Sequence, residues 1–484
     1  MRKILLLCVA FLLSACGGGG GSGSAVSPPP PPPPPPTTNE SPAGIWEGTF
    51  TSTVFNQVEQ VLGVATSQGD IRFVSIDSGS QFFGQVVVSG DAISGSLRAV
   101  SLAGGQFAGG PASGTVNIEG TLSTRNSISG TFIGVGDEGT FSLTFNNLYD
   151  QDSSIPMVQS HWSAPETIFK ILLPGLGTAP IGLAIQDTGD FSGADTDGCD
   201  YSGLISILDP DFNIYDVALT VSSCGQLDGQ YTGLGVLSDT LQTNETITLA
   251  VSTNEVSITG LMTRAVPQSA SGVWTGNMQS PYSGLNQTIG IISEDNEAQF
   301  YSPTGVQIVG NVEVFANVLR MDAIAFAPFG TVHADGSVRG PIDVRGTVVS
   351  QLQSSGTFSG VGDVGDYDIT YDSIYARPSS LSLVEGQWST PSPTGGIAPL
   401  EIPVGAAGDF SGSSDGCSYS GNISLIDISY NAYRMEIQVS TCGGINGEYS
   451  GLGYLSDGTT SNDTFSISVA NDVTSLWAIF DRMP

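Results

Sequence analysis

Residues 140–149 read TFSLTFNNLY. Phe141, Leu143 and Phe145 alternate with Ser142, Thr144 and Asn146, so an extended chain turns its rings to one side and its polar groups to the other. Residues 366–372, DYDITYD, repeat the arrangement with Tyr367, Ile369 and Tyr371 against Asp368, Thr370 and Asp372. A period of two with one polar face describes antiparallel sheet buried on one side. Working outward, short runs of this kind are separated by Gly, Asp, Asn and Ser turns at roughly 8–12 residues, the spacing of sandwiches and closed barrels. No stretch of the body carries a helical period. The fold class expected is all-β.

Self-similarity divides the body. DGCDYSGLISILD (Asp197 to Asp209) returns as DGCSYSGNISLID (Asp415 to Asp427), and YTGLGVLSD at Tyr231 returns as YSGLGYLSD at Tyr449. GIWEG at Gly44 returns as GVWTG at Gly272, and WSAP at Trp162 as WSTP at Trp388. A finer pattern, G-x-[FY]-x-G-[LV]-G, begins at Gly130, Gly229, Gly356 and Gly447, each copy downstream of one of those four tryptophans. The chain therefore reads as four tandem antiparallel β-barrel or sandwich domains in an A-B-A′-B′ duplication. The expected divisions are 44–152, 153–268, 269–378 and 379–484, preceded by a leader over 1–15 and a disordered Gly/Ser/Pro linker over 16–43.

Cys199 and Cys224 are separated by 25 residues, as are Cys417 and Cys442, and each pair is centred on a turn sequence, DPDFN or DISYN. Cysteines equidistant from a hairpin turn are placed for a cross-strand disulfide. Parity objects. Tyr419 and Ile423 share the parity of Cys417, whereas Ile437 and Val439 oppose that of Cys442, so a plain ladder puts the two thiols on different faces. One extra residue near Ser222/Ser223 and near Ser440/Thr441 would reconcile them.

The leader has Arg2 and Lys3 ahead of an apolar run from Ile4 to Ala15, too short to span a bilayer, which takes about 20 residues, but suited to a secretory signal. Leu13-Ser14-Ala15-Cys16 resembles the lipobox of bacterial lipoproteins. That resemblance implies removal of residues 1–15, acyl chains on Cys16, and, with Gly17 following, anchoring to the outer membrane, on its periplasmic face or at the cell surface. Nine prolines, Pro28 to Pro36, follow a glycine-rich root; at about 3.1 Å per residue in polyproline II they form a stiff spacer of roughly 28 Å. The whole chain carries a net charge of −33, and loss of Arg2 and Lys3 makes it −35. So acidic a body repels phosphate backbones, which excludes nucleic-acid binding through a basic footprint. Its expected partners are the membrane, through the anchor, and a protein or a small apolar ligand.

Gly44-Ile45-Trp46 and Gly272-Val273-Trp274 resemble the G-x-W opening of lipocalin and avidin-type barrels, a family in which an arginine of the last strand covers that tryptophan. The resemblance implies that Trp46, Trp162, Trp274 and Trp388 plug barrels, with Arg264 and Arg482 as covers in the B units; the A units lack a matching arginine. Duplicated barrels behind an acylated cysteine are also similar to the transferrin-binding-protein-B lipoproteins.

Little in the chain offers chemistry. The two histidines, His161 and His333, fall at non-equivalent positions and build neither a zinc site nor a repeated general base; both read as incidental. Gly412-Ser413-Ser414-Asp415-Gly416 matches G-x-S-x-G but lies in a turn without a histidine partner. Asp195, Asp197 and Asp200 invite calcium yet lack the EF-hand series, and turn chemistry accounts for them. The function expected is non-enzymatic: an anchored lipoprotein that binds a macromolecule or serves as an envelope or adhesion module, without cofactor. Carriage of a small apolar ligand inside a barrel is the alternative, and a carboxylate hydrolase acting on envelope polysaccharide a third reading.

Overall fold

The alternation along residues 140–149 closes into a ring, and the ring occurs four times. A computed structural model describes residues 39–102, 104–164, 179–239, 244–390 and 399–484; the leader and Cys16 lie outside the described residues. Each unit is a closed barrel of eight antiparallel strands in up-and-down order. Barrel 1 runs from strand Gly44–Ser52 to Asp137–Asn146, and barrel 2 from Ser160–Ala164 to Ser257–Ala265. Barrel 3 runs from Gly272–Ser280 to Asp363–Asp372, and barrel 4 from Gly386–Thr390 to Ser475–Arg482. Closure, rather than a sandwich, disposes of the sheet edges.

Phe141 and Leu143 face inward and are buried, while Ser142 and Thr144 are exposed. The helical content among the described residues is two single turns, Ile155–Val158 and Leu381–Val384, and four short 3-10 turns. The two single turns serve tryptophans. In every barrel the indole Nε1–H of the plug donates to the carbonyl four residues earlier: Trp46 to Pro42 at 2.9 Å, Trp162 to Val158 at 2.8 Å, Trp274 to Ala270 at 2.9 Å, Trp388 to Val384 at 2.7 Å. All four side chains are fully buried, and a buried indole needs such a partner.

Cys199 is disulfide-bonded to Cys224 and Cys417 to Cys442, with Cα separations of 4.6 and 4.5 Å. The parity conflict has a local resolution. The ladder ends with Asp200 opposite Ser222 and Ser418 opposite Ser440, and the next residues, Ser223 and Thr441, turn to φ of 60° and 58°. One residue is thereby extruded, and the following cysteine swings onto the face of its partner.

Residues 39–484 form one compact unit. The seam between barrels 1 and 2 buries Ile45, Val64, Tyr149, Ile214 and Val236, with Tyr149 stacked on Phe212 at 4.4 Å. Its duplicate between barrels 3 and 4 buries Val273, Ile291, Ile374, Tyr375, Ala432, Leu452 and Tyr454. The central seam has no duplicate. It joins barrel 2 to barrel 3 through Ala184, Ala194, Phe315 and Val318 and through Asp200, which pairs with Arg345 at 3.0 Å and Arg320 at 3.1 Å.

Candidate binding site

The expected site residues fall into structural and surface groups. Arg264 lies 4.6 Å and Arg482 4.2 Å from the ring centroids of Trp162 and Trp388. Each donates to backbone carbonyls of the segment before its tryptophan: Arg264 to Met157 at 2.6 Å, Arg482 to Glu385 at 2.7 Å and to Leu383. In barrels 1 and 3 the same register position opposite the tryptophan holds Phe145 or Tyr371, meeting the indole edge-on at 5.6 and 5.7 Å. The opening glycine permits this. A Cβ on Gly44 would come within 2.9 Å of the Phe145 ring, and one on Gly272 within 2.8 Å of the Tyr371 ring.

Asp195, Asp197 and Asp200 do not converge on a cation. Asp195 is buried and accepts from Asp197 N, Cys199 N and the Tyr201 hydroxyl at 3.0, 2.9 and 2.7 Å; burial raises its carboxyl above the usual range. Asp200 points across the central seam to its two arginines. No group of three or more His, Cys, Asp or Glu side chains fit to hold a metal ion occurs among the described residues. Gly412 to Gly416 does end a strand in a turn, Asp415 taking φ of 52°.

The interiors of barrels 1 and 4 are well filled. The cavity inside barrel 1 measures about 10 Å³ and that inside barrel 4 about 50 Å³, against the roughly 300 Å³ or more of a site for a drug-sized ligand. A fatty or polycyclic cargo does not fit these two.

A roomier concavity lies instead between barrels 3 and 4. A pocket of about 310 Å³ is walled by Gln307 and Phe329 from barrel 3 and by Asp415, the Cys417–Cys442 disulfide, Ser475 and Trp477 from barrel 4. Trp477 stacks on Tyr301 of barrel 3 with centroids 4.6 Å apart, and Phe329 is 73% exposed at the rim. The duplicate seam shows what is missing here. Between barrels 1 and 2, Leu102 forms a β-bridge with Ser257, the Ser257 hydroxyl donates to Gly79 O at 3.1 Å, and the Gln81 amide donates to Ile258 O and Thr259 Oγ1 at 2.9 and 3.1 Å. At matched register Thr259 becomes Trp477 and Gln81 becomes Gln307. An indole offers no acceptor, and the Gln307 amide reaches Ser468 Oγ at 3.2 Å instead. Neither Phe329 nor Trp477 belongs to a repeated motif, but the change from Thr259 to Trp477 is visible when the two halves are aligned.

Apolar side chains also crowd the adjoining loop end of barrel 3. Tyr282, Leu285, Val332, Val338 and Val364 are all more than half exposed.

No protein-family model matches the chain, and no curated protein does. Among solved structures it is similar to a single-residue mutant of the vaccine antigen transferrin binding protein B from Haemophilus parasuis Hp5, at 8% identity over 76% of this chain and 86% of that one, with a TM-score of 0.17. It is likewise similar to isotype 1 transferrin binding protein B from serogroup B Neisseria meningitidis, at 11% identity over 65% of this chain and 63% of that one, with a TM-score of 0.16. TM-scores this low leave fold and site to be read from the chain itself.

Proposed function

We propose that this is a non-enzymatic binding protein of the bacterial envelope, tethered through acylated Cys16 and engaging a protein partner at the pocket between barrels 3 and 4. The observation that carries the reading is the contrast between duplicate seams: one is bonded across by Ser257 and Gln81, the other holds a pocket of about 310 Å³ with Phe329 exposed at its rim. Exposed aromatic side chains at the edge of a concavity of mixed polarity are typical anchors of protein interfaces. Asp415 in the wall and the net charge of −33 favour a partner segment that brings an apolar side chain flanked by basic ones. The leader ending in Leu13-Ser14-Ala15-Cys16 and the proline spacer support the tether. Against catalysis, the buried carboxyl whose pKa is raised, Asp195, spends its oxygens on two amides and a tyrosine.

The reading is tested in intact cells with a photo-crosslinking amino acid in place of Phe329. A discrete adduct that disappears when Trp477→Ala is added is the expected result. No adduct, or the same adduct from the group placed at Ile133, an exposed position on barrel 1, overturns it.

A further inference from the structure

Barrels 1 and 3 are copies of one unit, so the first is an internal reference for the second. The connection after the fifth strand of each has the same length, 101–112 and 327–338, and residues 107–111 fold like 333–337. Phe107 N donates to Pro111 O at 2.9 Å and His333 N to Ser337 O at 2.8 Å; Gly110 N donates to Phe107 O and Gly336 N to His333 O. His333 therefore stands where barrel 1 has Phe107.

In barrel 1 that ring closes the end of a phenyl cluster. Phe107 lies 6.1 Å from Phe82, and Phe50 lies 5.4 Å from Phe82 and 5.5 Å from Phe132. The strand registers match these positions in barrel 3 to Met278 for Phe50, Ile308 for Phe82 and Phe358 for Phe132, with Thr288 in place of Val61. Three rings have thus been exchanged for a thioether, an aliphatic chain and an imidazole. The space appears as a cavity of about 160 Å³ bounded by Met278, Thr288, Ile308, His333, Phe358 and Asp363. A second cavity, of about 40 Å³, adjoins it across Met278, Thr288 and Ile308. Nε2 of His333 is buried without a hydrogen-bond partner in the chain, an arrangement that costs free energy unless something else supplies the bond.

We infer that the loop end of barrel 3 is a binding site for an uncharged single-ring molecule bearing one hydrogen-bonding substituent, which His333 receives. Size sets the ring count: an apolar cavity of about 150 Å³ takes up benzene. Wall chemistry sets the substituent, since Met278, Ile308 and Phe358 accept a ring face while the His333 nitrogen and the Thr288 hydroxyl serve one polar group. Charge sets the rest: Asp363 and the acidic body turn anions away, and with Asp363 already accepting from the Ser280 hydroxyl and Val364 N the apolar wall of Met278, Ile308 and Phe358 penalises a buried cation. The inference is independent of the pocket between barrels 3 and 4.

With two histidines in the chain, full-length protein labelled on histidine gives two imidazole signals, and phenol serves as probe. The expected result is a saturable shift, at millimolar phenol, of the signal that is missing in His333→Phe, with the His161 signal unmoved. His333→Phe copies Phe107 and should melt at or above the wild-type temperature, and Thr288→Phe, which fills the same space and leaves the imidazole in place, should weaken phenol binding at least about tenfold, the effect of losing about 1.4 kcal/mol. A His333 signal that phenol leaves unmoved, or that moves together with His161, overturns the site. So does phenol binding that persists unchanged in Thr288→Phe.

Discussion

The guanidinium carbon of Arg482 lies 4.2 Å from the ring centroid of Trp388, and the same guanidinium donates to the carbonyls of Glu385 and Leu383 ahead of that tryptophan. One side chain thus ties the last strand of barrel 4 to the entry of its first. Arg482→Met keeps the stem and removes both the cation and the donors. It should cost about 1–3 kcal/mol, and Trp388→Ala about 3–5 kcal/mol. Urea unfolding followed by tryptophan fluorescence and far-ultraviolet dichroism checks both. An Arg482→Met chain as stable as the wild type would show that the arginine cover of Trp388 adds nothing to stability.

Removing the disulfide of barrel 4 with Cys417→Ser and Cys442→Ser opens a closed loop of 25 residues. The chain-entropy account puts the cost at about 3 kcal/mol. Reductant should destabilise the wild type and leave the doubly substituted barrel 4 unaffected, apart from the loss at Cys199–Cys224 in barrel 2. Denaturant midpoints with and without dithiothreitol separate the two bridges.

Asp200 is the acid on which the central seam turns. It faces Arg345, whose side chain is 8% exposed, and Arg320, and Asp343 also engages Arg345 at 3.0 Å. Asp200→Asn leaves a nearly buried cation with half its counter-charge. It should cost about 2–4 kcal/mol, somewhat less than an isolated buried pair because Asp343 remains. Protease sensitivity of the connection between barrels 2 and 3 should rise with it.

Asp457 gives a pH signature. Its bidentate pair with Arg377, 2.7 Å on each oxygen, holds the carboxyl down at about 2, against the ordinary 3.8. A carboxyl depressed in the folded state contributes stability that is complete above the unfolded value and is lost as pH falls through the folded one. The melting-temperature difference between wild type and Asp457→Asn should be constant above about pH 5 and shrink as pH approaches 2. Asp195 should act with the opposite sign. Its carboxyl is raised by burial, so the stability its protonated form contributes is lost as pH rises through the folded-state value, and Asp195→Asn should narrow the stability gap to wild type at neutral pH relative to acid pH, read as melting temperature against pH.

Cys16→Ser tests the tether. Acylation predicts that the wild type partitions with membranes and carries diacylglycerol by mass spectrometry, and that the serine variant appears in the soluble or uncleaved fraction. A wild-type chain with an unmodified Cys16 would remove the anchor.

Much of the fold was legible because it repeats a period of two, and period is a property of neighbours. The inward set of residues 140–149 and the position of the tryptophans are of that kind. Phe145 and Tyr371 were visible as inward aromatic residues, but that they take the place of the missing arginines required the register between first and last strands. Asp200 illustrates the limit. In sequence it stands beside two aspartates and suggests calcium, whereas its partners are 120 and 145 residues away on another barrel, and only the docking of two finished units brings them together. His333 has no counterpart histidine in the repeat, which alone makes it read as incidental. By fold its counterpart is Phe107, and a changed residue class at a matched position marks where two copies have parted.

The bond from each indole to the carbonyl four residues behind it asks for nothing farther along the chain. A floor can therefore be laid at the moment its first strand exists, while the strand that will close the wall is still some hundred residues from synthesis. Four such floors in series give each barrel a starting contact of its own, made within five residues of the chain.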